Sequence, residues 1–383
     1  MTRSVWNRLD HLQPLLVGML SLLGLMTIYS AHADWVRQVL WVALGVGAYV
    51  AASAVDYRRL RTLAPGLYAG MLLLMVAVHL VGRTALGARR WLSVGGFPLE
   101  PSELSKLLLV LILAAYLSRR DRLSWRGLGG ALLLVAPPAY LILTQPDLGT
   151  AIVFVAVLMG MLFLAGARPW QLGSLIAAAL VAVPLLPHVL HGYQLRRLVI
   201  FFDPAQDPLG AGYNLLQARI AVGAGGLFGQ GWLHGLQGQL GFVPESATDF
   251  VFAIFAEEFG LLGGLVLLAI FGALLIRLLR SAAVAPDRFG ELLVGGVFGM
   301  IFAQVVENVG MNIGLLPIAG IPLPLISYGG SATITTLAAL GLVQSVVLRR
   351  RFVSHRNDIG ENRAALPIAD TMLGTITRRA QAR

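Results

Sequence analysis

Apolar residues in this chain gather in long continuous runs, not in alternating or one-sided patterns. The runs fall at about 12–31, 35–54, 63–81, 103–117, 128–144, 150–166, 170–188, 249–276, 291–312 and 329–348. A helix rises ~1.5 Å per residue and the bilayer hydrocarbon is ~30 Å thick, so runs of this length predict spanning helices. Lipid offers no hydrogen bond to a bare backbone, and the helix satisfies its own. The pattern predicts an all-α polytopic membrane protein with ten transmembrane helices and both termini on one side. The first run ends Ala31-His-Ala33, which imitates a signal-peptidase site. It is long enough to span and a second run follows at once, so it reads as a retained helix.

The polar breaks are short except for one stretch, about 189–248, between the seventh and eighth runs. Long connections of this kind are often functional. It holds a turn-rich passage from Asp203 to Gly212, then Tyr213 to Val222, which reads as a short amphipathic helix. Next comes Gly223-Ala-Gly-Gly-Leu-Phe-Gly-Gln-Gly231. That run has neither Walker A nor dinucleotide-binding spacing, so its glycines point to close backbone packing. Residues 351–383 lack a long apolar run and read as a flexible tail after a membrane domain spanning 1–350.

Charge sets the orientation. Charged residues make up 13% of the chain, against about a quarter in soluble proteins. Arginines cluster at Arg3, Arg8, Arg58, Arg59, Arg61, Arg119, Arg120, Arg122, Arg126, Arg168, Arg277, Arg280, Arg288 and after Arg349. By the positive-inside rule this side, with both termini, is cytoplasmic, and 189–248 lies outside. The net charge of +10 then reflects cytoplasmic loops and anionic headgroups, and no nucleic-acid partner is expected. There is no cysteine, which excludes disulfides, thiolate metal sites and cysteine nucleophiles.

Several residues stand out against this background. Asp249 sits where the long loop runs into the eighth span. Locally, Ser246-x-x-Asp249 fits a capping box; the functional reading is a general base at a membrane–water boundary. Glu257 and Glu258 follow within the apolar run and read as structural, one paired with an arginine and the other toward the cytoplasmic end. Glu103 and Lys106 open the fourth span at i,i+3 spacing and form an ion pair or take part in chemistry. Asp147, in Gln145-Pro-Asp-Leu-Gly-Thr150, lies on the same side as Asp249. Two converging carboxylates there would suit a hard divalent cation beside phosphate oxygens. Arg89-Arg90 and Arg196-Arg197 break the orientation rule, and guanidinium groups grip phosphate bidentately. Ser327 and Tyr328 in Ser327-Tyr-Gly-Gly-Ser331 suit binding or packing, and Gln217 on the loop helix is a further binding candidate. His234 is read as non-catalytic.

These motifs together resemble the SEDS (shape, elongation, division and sporulation) family, above all its RodA-type members. The resemblance is carried by Gly87-Ala-Arg-Arg-Trp91, Pro101 to Lys106, Gln145 to Thr150, Asp207 to Tyr213, Gly223 to Trp232, Thr248-Asp-Phe250 with Ala256-Glu-Glu258, and Pro322 to Ser331. The chain departs from the family pattern before Thr248, where Glu245 and its neighbours replace a basic residue and a histidine. The resemblance implies a peptidoglycan glycosyltransferase polymerising lipid II at the outer face of the bacterial cytoplasmic membrane. It implies a class B penicillin-binding protein and the elongation machinery as partners. It places the essential aspartate at Asp249, the conserved Glu–Lys pair at Glu103 and Lys106, the second-loop acid at Asp147 and the cavity arginines at Arg90 and Arg197. A divalent cation, magnesium or manganese, at Asp147 and Asp249 is the cofactor to test; no organic cofactor is expected. The alternatives from other classes are a lipid II transporter (flippase) and a non-catalytic scaffold for the partner.

Overall fold

The computed structural model describes residues 10–85, 88–94, 97–120, 123–182, 192–208 and 210–349. The tail expected at 351–383 lies outside them. Each apolar run becomes a helix over its described residues; 183–188 of the seventh run lie outside them. In order these are α1 (Leu12–Ser30), α2 (Trp35–Ala54) and α3 (Tyr57–Val81), then α4 (Pro101–Leu117), α5 (Trp125–Thr144), α6 (Leu148–Leu164) and α7 (Pro169–Ala182). The long loop holds α8 (Gly192–Phe202), a 3-10 turn at Pro204–Gln206, α9 (Ala211–Ala224) and the single-turn α10 (Leu236–Gln239). The last helices are α11 (Val251–Ala283), α12 (Arg288–Asn312) and α13 (Gly330–Leu348). Among the described residues seven helices are long and apolar enough to cross a membrane.

The all-α expectation needs one correction. Between α3 and α4 the chain forms a small antiparallel sheet of β1 (Arg83–Ala85), β2 (Ala88–Val94) and β3 (Phe97–Leu99). Arg83 pairs with Trp91 and Leu92 with Leu99. The segment is too short and too polar to register in a search for apolar runs, yet it carries Arg90.

Helix α4 is buried nearly all round, from Pro101 to Leu117, and α12 almost as fully. They form the centre. Helices α3, α5, α6, α11 and α13 pack around them. Their outer faces carry exposed Leu73, Leu133 and Phe163, as lipid-facing helices do. Without a hydrophobic drive between helices in lipid, small residues let backbones approach. Gly341 of α13 lies against the Tyr49 backbone of α2, and Gly24 of α1 against Leu325 and Ile326. Helix α1 thus packs against the segment before α13.

Helix α11 is interrupted. Gly260 has φ 66° and ψ −168°. The two amides beyond it turn away from the helix: Leu261 N donates to Gly226 O at 2.9 Å and Leu262 N to Leu227 O at 3.1 Å. The carbonyls they abandon, Glu257 and Glu258, accept from Gln230 N and Gly231 N, both at 3.0 Å. The glycine-rich loop therefore completes the hydrogen bonding of a broken helix. A Cβ at Gly225 or Gly229 would collide with the carbonyls of Ala256 or Glu258, so close backbone approach explains the glycines. The segment before the break, 250–258, is buried on every side.

Helix α9 covers the expected Tyr213–Val222, but it is not amphipathic. Leu215, Ala218 and Ala221 face inward, while Leu216 and Ile220 are exposed on the other side.

Candidate active site

A cavity of about 390 Å³ opens where the long loop, the small sheet and the ends of α4, α6, α11 and α13 meet. Arg90, Glu103, Asp147, Arg197, Asp249 and Tyr328 all line it. Residues scattered over most of the sequence converge there.

Asp249 stands one residue before Phe250, the N-cap position of α11. The capping-box expectation is not met, because the helix starts at Val251 and no side chain at its N-cap makes the capping bond. That task passes to α12. Asn312 Oδ1 accepts from Ala253 N at 3.1 Å. Asn312 Nδ2 donates to Asp249 O at 3.1 Å, and Asn308 Nδ2 donates to the same carbonyl at 2.9 Å and to Ile321 O at 2.7 Å. The backbone of Asp249 is held from below, and its carboxylate is left for the cavity. Burial pushes that carboxyl up from 3.8 to about 6. Arg197 and Arg90 pull it down, while Glu245 and Asp147 push it up further.

Glu245, the departure from the family pattern, shapes the turn into Asp249. Its φ is 53°, its carbonyl accepts from Thr248 N at 3.1 Å and Phe250 N at 3.2 Å, and its carboxylate takes Thr248 Oγ1 at 3.1 Å. Ser327 does not present its hydroxyl to the cavity. It donates to Thr248 O at 2.6 Å and accepts from Leu323 N at 2.8 Å, so it ties the segment before α13 to the Asp249 turn. Tyr328 N adds a bond to Ala247 O at 2.8 Å, and Tyr328 lines the cavity.

The two arginines arrive from different elements. β2 delivers Arg90, whose Nε and Nη2 donate to Gln145 O at 3.3 Å and Pro146 O at 2.5 Å, with Nη1 at 4.0 Å from Asp147 Oδ1. α8 delivers Arg197, whose Nη1 donates to Ile318 O at 3.3 Å. The guanidinium of Arg197 and the Asp249 carboxylate both lie against Gly320, where a Cβ would sit 3.3 Å from Nη1 and 3.4 Å from Oδ2. The side chains of Arg89 and Arg196 lie outside the described set. Asp147 also caps α6, accepting from Thr150 N at 3.2 Å, so its structural and site readings hold together.

Lys106 Nζ bonds Glu103 Oε1 at 2.6 Å, both side chains almost fully buried. Glu103 faces the cavity and Lys106 stands behind it. Sequence reasoning missed two further acids here. Glu100, at the N-cap of α4, lines the cavity, and burial, then Glu103 and Asp147, push its carboxyl up. Glu307 of α12 is buried with neither carboxylate oxygen hydrogen-bonded to a described residue, within electrostatic reach of Lys106 and Asp147. Only the convergence of α4 and α12 reveals them. Arg37 and Trp41 of α2 also line the cavity.

Three expectations fall elsewhere. Gln217 is half-buried on α9 and does not line the cavity, since α9 turns its inner face to α11. Among the described residues Glu257 pairs with no arginine: its oxygens accept from Gln237 N at 2.8 Å and Gly238 N at 3.1 Å, capping α10. Glu258 accepts from Ser30 Oγ and from Leu233 N. Both acids are structural, but they anchor the long loop and do not lie toward the opposite end. His234 is exposed and bonds its own loop at Trp232 O.

Among the described residues, no group of three or more His, Asp or Glu side chains is placed to hold a metal ion. Asp147 and Asp249 share the cavity without forming a protein cage. They fit only a hard ion that takes its other ligands from phosphate oxygens and water.

The model of the FtsW/RodA/SpoVE family, described as "Cell cycle protein", matches residues 8–351. The chain belongs to this family. Among curated FtsW/RodA/SpoVE relatives, the peptidoglycan glycosyltransferase MrdB of Escherichia coli (strain K12) is 40% identical over 366 residues, covering 92% of this chain and 97% of that protein. Among solved structures, one described as a peptidoglycan synthase complex that coordinates polymerization and crosslinking superimposes at TM-score 0.79, with 36% identity over 90% of this chain and 99% of that one. The rod shape determining protein RodA of Thermus thermophilus superimposes at TM-score 0.69, with 33% identity over 89% and 97%. FtsW/RodA/SpoVE membership thus covers the whole membrane domain and every cavity residue named above.

Proposed function

We propose that this chain is a peptidoglycan glycosyltransferase that polymerises lipid II at the outer face of the bacterial cytoplasmic membrane during elongation. The observation that carries the reading is the cavity joining Asp249 to Arg90 and Arg197. Family membership and the names of the relatives support the same activity. The finer topology belongs to the proposal: ten spans, cytoplasmic termini and an outer loop at 189–248 place the cavity at the outer leaflet.

The chemistry follows from the site. The acceptor's sugar 4-hydroxyl attacks the donor's anomeric carbon, and its proton passes to the Asp249 carboxylate. The bond from that carbon to the donor's pyrophosphate oxygen breaks, and configuration inverts. A proton-accepting carboxylate contributes about 10² to 10⁴-fold; holding the two sugars in line supplies much of the rest. Polyprenyl pyrophosphate leaves as an anion and needs positive charge. Arg90 and Arg197 are the groups for it, with Glu103 and Lys106 fixing the wall behind. The lining acids Glu100, Glu103, Asp147, Glu245 and Asp249 outnumber Arg37, Arg90 and Arg197. An anionic substrate therefore calls for protonated acids or an added cation. Asp147 and Asp249 would hold a magnesium or manganese ion, and the ion would supply that charge.

The partner is a class B penicillin-binding protein that crosslinks the new strands, a reading supported by the synthase-complex structure. The transporter alternative gains one feature, the broken helix at Gly260, since transporters use broken helices to bind ions. Here the freed backbone groups are bonded to the glycine-rich loop, which favours the polymerase. The test is the chain with its partner in liposomes containing lipid II. Glycan polymer is expected. Translocation without polymer would make it a transporter, and neither activity would leave a scaffold. Loss of polymer on chelation, restored by magnesium or manganese, is the outcome expected of the ion.

A further inference from the structure

A second cavity, of about 650 Å³, lies at the other end of α4 from the active site. Ile112, Ala115 and Tyr116 of α4 line it, an i, i+3, i+4 stripe on one helix face, with Arg119 just beyond the end of the helix. Ala64, Pro65 and Tyr68 of α3 and Leu134 of α5 form its walls. Ala115 is small, which leaves room beside a helix otherwise buried nearly all round. Neighbours on the same helices, Leu63 and Leu133, are exposed at 56% and 74%. The mouth therefore faces the lipid-covered surface.

One end of this apolar groove is strongly basic. Arg120 Nη1 donates to Tyr116 O at 2.7 Å, and its guanidinium lies 3.7 Å over the Tyr116 ring. Tyr116 OH is itself fixed by Gly127 O at 3.1 Å. Arg120 is therefore held in place. Beside it Arg119 is exposed, and among the described residues no hydrogen bond or ion pair engages it. Both arginines line the groove, and no acid does. A fixed cation, an exposed cation and an apolar trough are the complement of an anionic headgroup joined to acyl chains. Basic pockets between membrane helices on the arginine-rich side recognise anionic lipids in this way. A free phosphate would have no use for the trough, and a zwitterionic lipid none for two unopposed arginines.

We propose that this groove binds one anionic diacyl phospholipid, its phosphate at Arg119 and Arg120 and an acyl chain along Ile112, Ala115 and Leu134. The site is about 20 Å from Glu103 along α4, and it is separate from the cavity that takes the polymerisation substrates.

The full chain in detergent is titrated with dioleoyl phosphatidylglycerol, dioleoyl phosphatidylcholine or glycerol phosphate, and bound lipid is counted by native mass spectrometry. Wild type should retain one phosphatidylglycerol where phosphatidylcholine is lost, and glycerol phosphate should not compete. Arg119→Gln should weaken retention roughly five- to tenfold, on the scale of one arginine at an anionic surface. Leu134→Trp should weaken it by filling the trough. Arg280→Gln, an exposed arginine of α11 outside the groove, should leave it unchanged. Equal retention of the two lipids would overturn the proposal. So would equal losses in Arg119→Gln and Arg280→Gln, which would mean general surface attraction, or competition by glycerol phosphate, which would mean a phosphate site without a lipid.

Discussion

Asp249 keeps a carboxylate that the fold fixes by its backbone and leaves poorly compensated at its side chain. Because burial raises its pKa from 3.8 to about 6, the folded protein holds this proton more tightly than the unfolded chain. The stability from that proton is present below about pH 4 and is lost as pH rises through about 6. Asp249→Asn should therefore match or raise the melting temperature at neutral pH, and a clear fall would count against an uncompensated carboxylate. The base must be ionised to act, so polymerisation should fall as pH drops through about 6, read as initial rate against pH with lipid II saturating. Asn312 deserves the same treatment as a supporting residue. Asn312→Ala removes bonds to Asp249 O and Ala253 N, and loss of such buried bonds costs about 1–3 kcal/mol. It should lower the melting temperature and kcat together. Neither asparagine was legible beforehand, since an asparagine in an apolar run says only that something polar is near. Asp249 itself was legible because an acid at a polar–apolar seam is costly wherever it stands. What the seam could not reveal is that α12 would perform the capping.

Among elements, the glycine-rich loop and the broken α11 form one unit. Gly229 touches the Glu258 carbonyl so closely that a Cβ has no room, and backbone cannot yield as a side-chain tip can. Gly229→Ala should destabilise by about 1–3 kcal/mol and expose residues 223–240 to protease. Unchanged protease resistance would show that the loop is not docked through that contact. The close packing of these glycines was readable from their spacing and the missing phosphate-loop pattern. The break at Gly260 was not, because a glycine inside an apolar run looks like any other small residue in a membrane helix. The sheet that carries Arg90 was missed for a related reason: its strands are too few and short for alternation to stand out. Glu257 and Glu258 were read correctly as structural, yet their partners are backbone amides of the loop, which no charge count anticipates.

At the scale of the molecule, length and hydropathy alone located the helices, because a spanning helix must satisfy its own backbone and lipid tolerates little polarity. Their packing order was not legible, since uniformly apolar helices give no face to read. The orientation drawn from arginine placement makes a direct prediction. The chain has no cysteine, so single-cysteine labelling has no background. Ala205→Cys in the long loop should react with an impermeant maleimide in intact cells, and Val284→Cys between α11 and α12 only after permeabilisation. The reverse pattern would invert the protein and place the cavity away from its substrate. The central claim is that the Asp249 carboxylate takes the acceptor proton. Its most direct test is the single-turnover rate of glycan formation from lipid II by the purified complex, wild type against Asp249→Asn. A fall of about 10² to 10⁴-fold with lipid II binding retained is expected; polymerisation at the wild-type rate would contradict it.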